Sequence, residues 1–415
     1  MIITRDIIRK DIIYKKDEDA FNTISSMTNS FKHMLNDAGA KKGDLVTLGI
    51  IYVNTMHVSA LMACAELGLR VILLDAPATQ ESLPYTKLAI HGPADFCIDD
   101  EKSTNIYRGL HQKMIETYSK NIIKVSSMIM YEDCDDFKPD YEINEDDPFI
   151  VSSTSGSTRQ SRKVEFSHKE VYQISKRAID IFKFKPDSKV LQTRNLHHAS
   201  ALFTHLFPAL MTSKYHYNRA IPDKLAFESN DSGGLNALIQ RDKYTHIMVS
   251  NEDMLNWLFA NARRRYRETL IINMSGFTLD KKFIHHCKKY NVEFLSHYGS
   301  IDTAIPLLIN HVTKDTKSLE PGYLGKTPDN YYHITLNNGQ PIIDCELWDE
   351  PRKMDDVLRF DTETQEFYHT GRTENEHYQY YIDEAKRLDV NLDSFFQDTK
   401  INMEQLRGHI HEIKK

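Results

Sequence analysis

The run Ser153-Thr154-Ser155-Gly156-Ser157-Thr158 sets five hydroxyl side chains around one glycine, and Arg159, Arg162 and Lys163 follow it. A loop of this kind, placed after a strand, turns hydroxyls and backbone N–H groups onto phosphate oxygens, and nearby cations neutralise the charge. The spacing excludes the GxxxxGK[ST] form, because Gly156 has no Gly-Lys pair behind it. Composition alone fits a plain polar loop as well. The adjacent His285, His286 and Cys287 point in different directions on a helix and read as surface and core contacts, not as metal ligands. Asp146-Asp147 and Asp355-Asp356 read as solvated loop charges.

The elements that must carry such a loop are legible from periodicity. Ala20 to Ala38 reads as a helix closed by Gly39, Leu45 to Tyr52 as a buried strand, Met56 to Leu67 as a helix closed by Gly68, and Val71 to Leu74 as a strand. This is the βαβ order of a parallel sheet. Phe149 to Ser152 is expected to be extended before the loop, and Ser167 to Glu170 has capping-box spacing ahead of the helical stripe Val171, Ile174, Ala178 and Ile181. Strands are expected at Val190 to Gln192, His246 to Val249, Thr269 to Asn273 and Val292 to Leu295, with a helix at Asp280 to Tyr290. After Pro321 short extended segments with turns at Asn338-Gly339 and Glu350-Pro351 predict a small antiparallel β-region. Polar, glycine-containing loops that follow strands of an open parallel sheet share its carboxyl edge, where ligands bind.

In order along the chain, several words resemble the adenylate-forming superfamily of acyl-CoA synthetases, peptide-synthetase adenylation domains and luciferases. Thr154-Ser155-Gly156-Ser157-Thr158, with Arg162 and Ser167-His168, resembles its phosphate loop. Ala38 to Val46 with Asn54 is similar to its N-terminal stretch. Leu196 to Leu202 is similar to the segment bordering its acid pocket, with His198 at the family histidine. Ser275-Gly276-Phe277-Thr278-Leu279 resembles the turn that packs on adenine. Ser296 to Asp302 resembles the Tyr-Gly-x-Thr-Glu motif, which implies that Tyr298, beside Gly299, stacks on adenine and that Asp302 holds magnesium through a hard oxygen. Gly322 to Pro328 and Phe367 to Gly371 match later landmarks, so the resemblance spans about residues 20 to 372.

The resemblance implies an α/β fold: the large N-terminal domain of an AMP-dependent synthetase, with stacked, mostly parallel sheets, helices and a small antiparallel β-region. The domain is expected over 1–372, with the nucleotide motifs in 145–320 and the β-region in 321–372. A short helical tail, 373–415, stands where the family's mobile C-terminal domain is expected, so that domain is largely absent. The implied activity is activation of a small-molecule carboxylic acid by ATP and Mg2+ to an acyl-adenylate, with transfer to CoA or another thiol or amine. His198, Asp302, Arg162 and Lys163 are the implied catalytic residues. The pocket for the acid is expected near 195–204 and 273–302.

The sequence also departs from the family. Arg159, Ser161 and the pair Arg162-Lys163 replace the glycine, proline and Lys-Gly of the phosphate loop, and Ile301 lacks the family hydroxyl. Arg372 stands where the family has a ribose-binding aspartate, and an arginine has no acceptor; contact with a nucleotide phosphate is the alternative role. No lysine of the tail lies in a Gly-Lys context. Two alternatives therefore stand beside the ligase: a nucleotide- or acyl-binding protein with impaired catalysis, and a chain completed by a complementing subunit that brings the lysine; a carrier protein is among the acyl acceptors that the resemblance implies.

Composition sets the outer bounds. In 415 residues, 52 Lys and Arg against 59 Asp and Glu give a net charge of -7, which disfavours nucleic acid as a partner. The run Arg263 to Arg267 reads as the polar end of a helix. Five dispersed cysteines form no CxxC pair, and the longest apolar stretch, Val58 to Leu74, is broken by Glu66 and Arg70. The expectation is a cytoplasmic protein with no membrane span.

Overall fold

The computed structural model describes residues 1–8, 20–49, 55–73, 92–100, 115–125, 134–153, 163–194, 196, 198–216, 232–249, 252–260, 262, 265–275, 279–301, 306–346, 348–354 and 356–372. Helix α1 (Ala20–Asp37) leads into β1 (Leu45–Leu48), helix α2 (Thr55–Glu66) and β2 (Arg70–Leu73). Helix α2 is buried from Met56 to Ala65, as expected of a helix that is apolar all round. Strands β1 and β2 pair in parallel from Leu45↔Arg70 to Leu48↔Leu73. With β3 (Ala94–Asp100), β4 (Ser119–Val125), β5 (Pro148–Ser153) and β6 (Lys163–Ser167) they form one sheet of order β4-β3-β1-β2-β5-β6. Only β6 runs antiparallel, against β5.

The second sheet repeats this plan. Its strands are β7 (Lys189–Leu191), β8 (Lys214–His216), β9 (His246–Val249), β10 (Leu270–Ser275), β11 (Val292–Tyr298) and β12 (Leu308–Val312), in the order β12-β11-β10-β9-β7-β8. Again only the edge strand, β12, is antiparallel to its neighbour. The expected strands at 149–152, 190–192, 246–249, 269–273 and 292–295 all coincide with strands here, and β11 runs on to Tyr298.

A helical layer lies between the sheets. Helix α3 (His168–Ile181) starts at the predicted capping box, with both reciprocal bonds between Ser167 and Glu170 present. Helix α4 (Ala199–Ala201) continues through a π-helical turn, Leu202–Leu206, into α5 (Phe207–Thr212). The main core cluster unites Leu48 and Phe149 of the first sheet, Val171, Phe203 and Phe207 of the helices, and Val190, Met248 and Leu295 of the second sheet. The other face of the second sheet is covered by α6 (Ser232–Asp242), α7 (Glu252–Ala260) and α8 (Lys281–Tyr290), whose own core includes Leu258, Phe283 and Phe294.

Two local expectations are settled on this outer layer. His286 stacks against Phe259 and Tyr290 while Cys287 is buried, so the His-His-Cys run makes packing contacts. In the basic run, Arg263 and Arg264 lie outside the described residues; α7 stops at Ala260, Arg265 to Arg267 are not helical, and Tyr266 between them is buried with its hydroxyl donating to Asn236 Oδ1. Burial of that ring decides the local backbone, and the charges simply flank it.

The β-region after Pro321 is antiparallel throughout. One sheet has β13 (Tyr323–Gly325), β18 (Glu366–Arg372) and β17 (Asp356–Asp361); the other has β14 (His333–Asn337), β15 (Gln340–Asp344) and β16 (Arg352–Lys353). Asn338 and Gly339 take φ of 51° and 82°, which suits a two-residue turn with both central residues left-handed. Gly325, at φ 97°, brings β13 so close to β12 that a Cβ would stand 1.9 Å from the Ile309 carbonyl oxygen. From α3, Arg177 grips Asp329 with two bonds of 2.8 and 2.9 Å and lies over Tyr331 and Tyr332. The β-region is thereby fixed to both the second sheet and the helical layer. The tail expected over 373–415 lies outside the described residues.

Candidate nucleotide and acid site

The chain leaves β7 for β8 on one side and then returns to β9 on the other, so the order of the second sheet reverses there. Ligands of open parallel sheets bind beyond the strand ends beside such a reversal. The residues at those ends are polar and mutually bonded. Arg194, following β7 and 7% exposed, donates from Nη1 to Ser275 Oγ at the end of β10, 2.7 Å away. Thr193 Oγ1 donates to the Met248 carbonyl and accepts from the Met248 N–H at 3.1 Å, which ties the exit of β7 to β9.

A second network runs inward. Asn273 Nδ2 donates to the carbonyl and the Oγ1 of Thr204, at 3.2 and 3.1 Å, inside the π-helical turn. Asn273 Oδ1 lies 3.0 Å from His297 Nδ1 on the neighbouring strand. Burial first, and then the Arg194 charge, press the His297 imidazole down to about 3, so it is neutral near pH 7. Alternation along β11 sets Leu295 in the inter-sheet core and Phe294 in the outer core, so His297 shares the helical-layer side.

Tyr298 ends β11 on the other face. Its hydroxyl donates to Asp356 Oδ2 at 2.6 Å, and Asp356 Oδ1 is 3.3 Å from His369 Nε2. Asp356 is 8% exposed, which corrects the expectation of a solvated loop charge. The hydrogen bonds of a tyrosine and a histidine make its burial affordable. Asp147 is no plain solvated charge either: it pairs with Lys42 at 2.7 Å and accepts from the Asn144 N–H.

The sequence-predicted residues fall into three groups. Ser275, Tyr298 and Gly299 meet at adjacent strand ends, where Ser275 and His297 are register partners. Lys163 and His198 lie on other elements: Lys163 opens β6 and pairs with Glu165 at 2.7 Å, and His198 is exposed just before α4. Arg372 ends β18 as the register partner of Asp356. Thr154, Ser155, Gly156, Ser157, Thr158, Arg162, Gly276, Phe277 and Asp302 lie outside the described residues. Ser153 and Lys163, which flank 154–162 in the chain, are register partners across β5 and β6.

Arg194 and Asp356 are the additions that sequence reasoning missed, and Thr204, Asn273 and His297 were placed only within pocket-lining spans. Polar residues at inward positions of otherwise apolar parallel strands are the signal that points to the last two. A separate cavity of about 350 Å³, lined by Asn330, Tyr331, His333, Asp344, Cys345 and Glu346, belongs to the β-region and to none of these strand ends. Among the described residues there is no group of three or more potential metal-ligating side chains, and no helix long and apolar enough to cross a membrane.

A family model described as AMP-binding enzyme matches residues 14–343. No curated protein matches the chain by sequence. Among solved structures, the inhibitor-bound N-terminal domain of FACL13 from Mycobacterium tuberculosis is similar at 14% identity and a TM-score of 0.71, covering 85% of this chain and 92% of that one. The O-succinylbenzoate coenzyme A synthetase of Bacillus subtilis, in complex with ATP and magnesium, gives 16% identity and 0.67, covering 87% and 76%. The anthranilate CoA ligase AuaEII, in complex with anthranoyl-AMP, gives 13% identity and 0.66, covering 89% and 76%. At these identities the likeness establishes the fold.

Proposed function

The chain belongs to the AMP-binding enzyme family, ATP-dependent acid-activating ligases, and from that premise we propose where each reactant sits. The observation that carries the proposal is the set of polar strand ends on β7, β10 and β11, which has two sides. Tyr298 and Asp356 face the β-region, and Asn273 and His297 face the helical layer. ATP takes the first side and the carboxylic acid the second.

On the nucleotide side the adenine stacks on Tyr298, whose ring Asp356 holds through the hydroxyl. Ser275, Gly276 and Phe277 border the base, and Gly299 lets the backbone approach it. The loop of Thr154, Ser155, Gly156, Ser157 and Thr158 receives the phosphates, with Arg372 in reach of the nucleotide. The carboxylate oxygen of the acid bonds to the α-phosphorus, and the bond from that phosphorus to pyrophosphate breaks. Both partners are anionic, so fixed positive charge lowers the barrier. Arg162 and Arg194 supply it, and Lys163 does so once it leaves Glu165. The carboxylate of Asp302 is a hard oxygen donor suited to magnesium, which when bound adds charge at the phosphates. His198 borders the acid. A thiol, of CoA or of a carrier protein, or an amine then bonds to the acyl carbon, and the bond from that carbon to the AMP oxygen breaks, releasing AMP.

Arg372 favours a second reading, a nucleotide-binding chain whose turnover is weak or depends on a complementing subunit, because an arginine cannot accept the ribose hydroxyls. The five free cysteines suit a reducing compartment such as the cytoplasm. Pyrophosphate exchange into ATP with a broad panel of acids tests the first reading. Acid-dependent exchange that Tyr298→Ala and Asp302→Ala abolish is expected; folded, ATP-binding protein without exchange for any acid contradicts it.

A further inference from the structure

His297 is 3% exposed, and among the described residues its Nε2 has no hydrogen-bond partner. The other ring nitrogen fixes which proton it carries. Asn273 spends both described Nδ2 bonds on Thr204, so the oxygen of that amide must face His297. The oxygen only accepts, so Nδ1 bears the hydrogen and Nε2 is a bare acceptor. A buried acceptor left without a donor costs about 1–3 kcal/mol, which a structure tolerates where a ligand supplies the donor.

Position separates His297 from His168, His205 and His246. His168 stacks on Phe149, and His205 and His246 pack on Phe184, within the inter-sheet layer. His297 also meets a ring, edge-on to Phe182, but of these four it is the one that sits one residue before the end of β11, bonded to Asn273, on the side assigned to the acid.

Resting on the ligase reading above, we propose that His297 Nε2 accepts a hydrogen bond from the acid itself. The substrate class is then a carboxylic acid bearing a hydroxyl or amino donor, not a bare alkyl or aryl acid. Thr204 and Asn273 are positioning residues that hold the imidazole in the accepting tautomer. A bare acid leaves Nε2 unpaired in the complex, and the lost bond appears as discrimination.

The test compares benzoate with its hydroxy- and amino-substituted forms, and butyrate with hydroxybutyrate and aminobutyrate, in pyrophosphate exchange. The donor-bearing acid of at least one set is expected to be preferred by about tenfold or more in kcat/KM. His297→Phe should remove that preference, read as the ratio of kcat/KM for the donor-bearing acid to that for its bare counterpart, which falls to about one. Equal use of both classes by the unaltered protein, or a preference that survives His297→Phe, overturns the proposal. Nitrogen NMR of the unaltered protein gives an independent reading that needs no variant to fold. The Nε2 signal should start unprotonated and shift with a hydroxy or amino acid but not with its bare counterpart, and a signal indifferent to both overturns the proposal. Exchange with no acid of any class contradicts the ligase reading itself, and the Nε2 signal still decides this inference.

Discussion

Acidification from about pH 7.5 to 5.5 should destabilise this fold steeply, because four of its buried histidines, His168, His205, His246 and His297, are held neutral. Burial presses His168 and His246 down to about 4, and His205 and His297 to about 3, against an ordinary value of 6.5. The sign follows from proton counts. Below 6.5 the unfolded chain binds a proton at each histidine while the folded chain does not, so stability is lost as pH falls. Each group contributes a loss of about 1.4 kcal/mol over that interval, and the four together about 5 kcal/mol, a large share of the 5–15 kcal/mol typical of a folded protein. Carboxylates titrate below this window, so histidines dominate it. Urea unfolding across the range should show about four protons taken up on unfolding near pH 5.5. His205→Leu, which removes one titrating group from an apolar setting between Phe184 and the helical layer, should lower that to about three. A stability that is flat from pH 7.5 to 5.5 would refute the burial of these rings as neutral groups.

Three further outcomes follow from single contacts. Gly325→Ala should cost more than about 2 kcal/mol in urea unfolding, because the residue must keep φ 97° while its Cβ meets the Ile309 carbonyl; a loss under half that would show that β12 and β13 can separate freely. Arg177→Ala removes two bonds to Asp329 and the stack on Tyr331 and Tyr332, and should cost about 2–3 kcal/mol; limited proteolysis should then cut first around 326–332, and cleavage elsewhere would speak against this anchor. Tyr298→Phe and Asp356→Ala break the same 2.6 Å bond, so both should weaken calorimetric ATP binding by a similar factor, about threefold to tenfold, and the double variant should be no worse than the poorer single one; additive losses would mean that the two residues act separately.

Much of the scaffold was legible because local rules and tertiary context agree. Val292 to Leu295 and His246 to Val249 are apolar runs that become central parallel strands, and Ser167 with Glu170 forms the capping box that its spacing predicts. The edge strands β6 and β12 were not legible, since Lys163-Val164-Glu165 and Asn310-His311 carry polar residues on a half-covered face and look like loop. The π-helical turn at Leu202–Leu206 has no signature in its residues; packing against Phe166 and the bonds from Asn273 to Thr204 accompany it. Asp356 was misread for a related reason. A carboxylate in an Asp-Asp pair looks solvated until a strand from a distant part of the chain brings Tyr298 against it. At the site, motif order located Ser275 and Tyr298, but the choice of Arg194, Asn273 and His297 as a bonded set depends on which strands are neighbours.

The claim that the carboxylate of an acid attacks the α-phosphorus of ATP has a direct isotopic test. An accepted acid labelled with heavy oxygen in its carboxyl group is turned over with ATP and a thiol acceptor, and the products are weighed by mass spectrometry. One labelled oxygen should appear in AMP, with pyrophosphate unlabelled. Label in inorganic phosphate, accompanied by ADP, would place the attack on the terminal phosphorus and contradict the account.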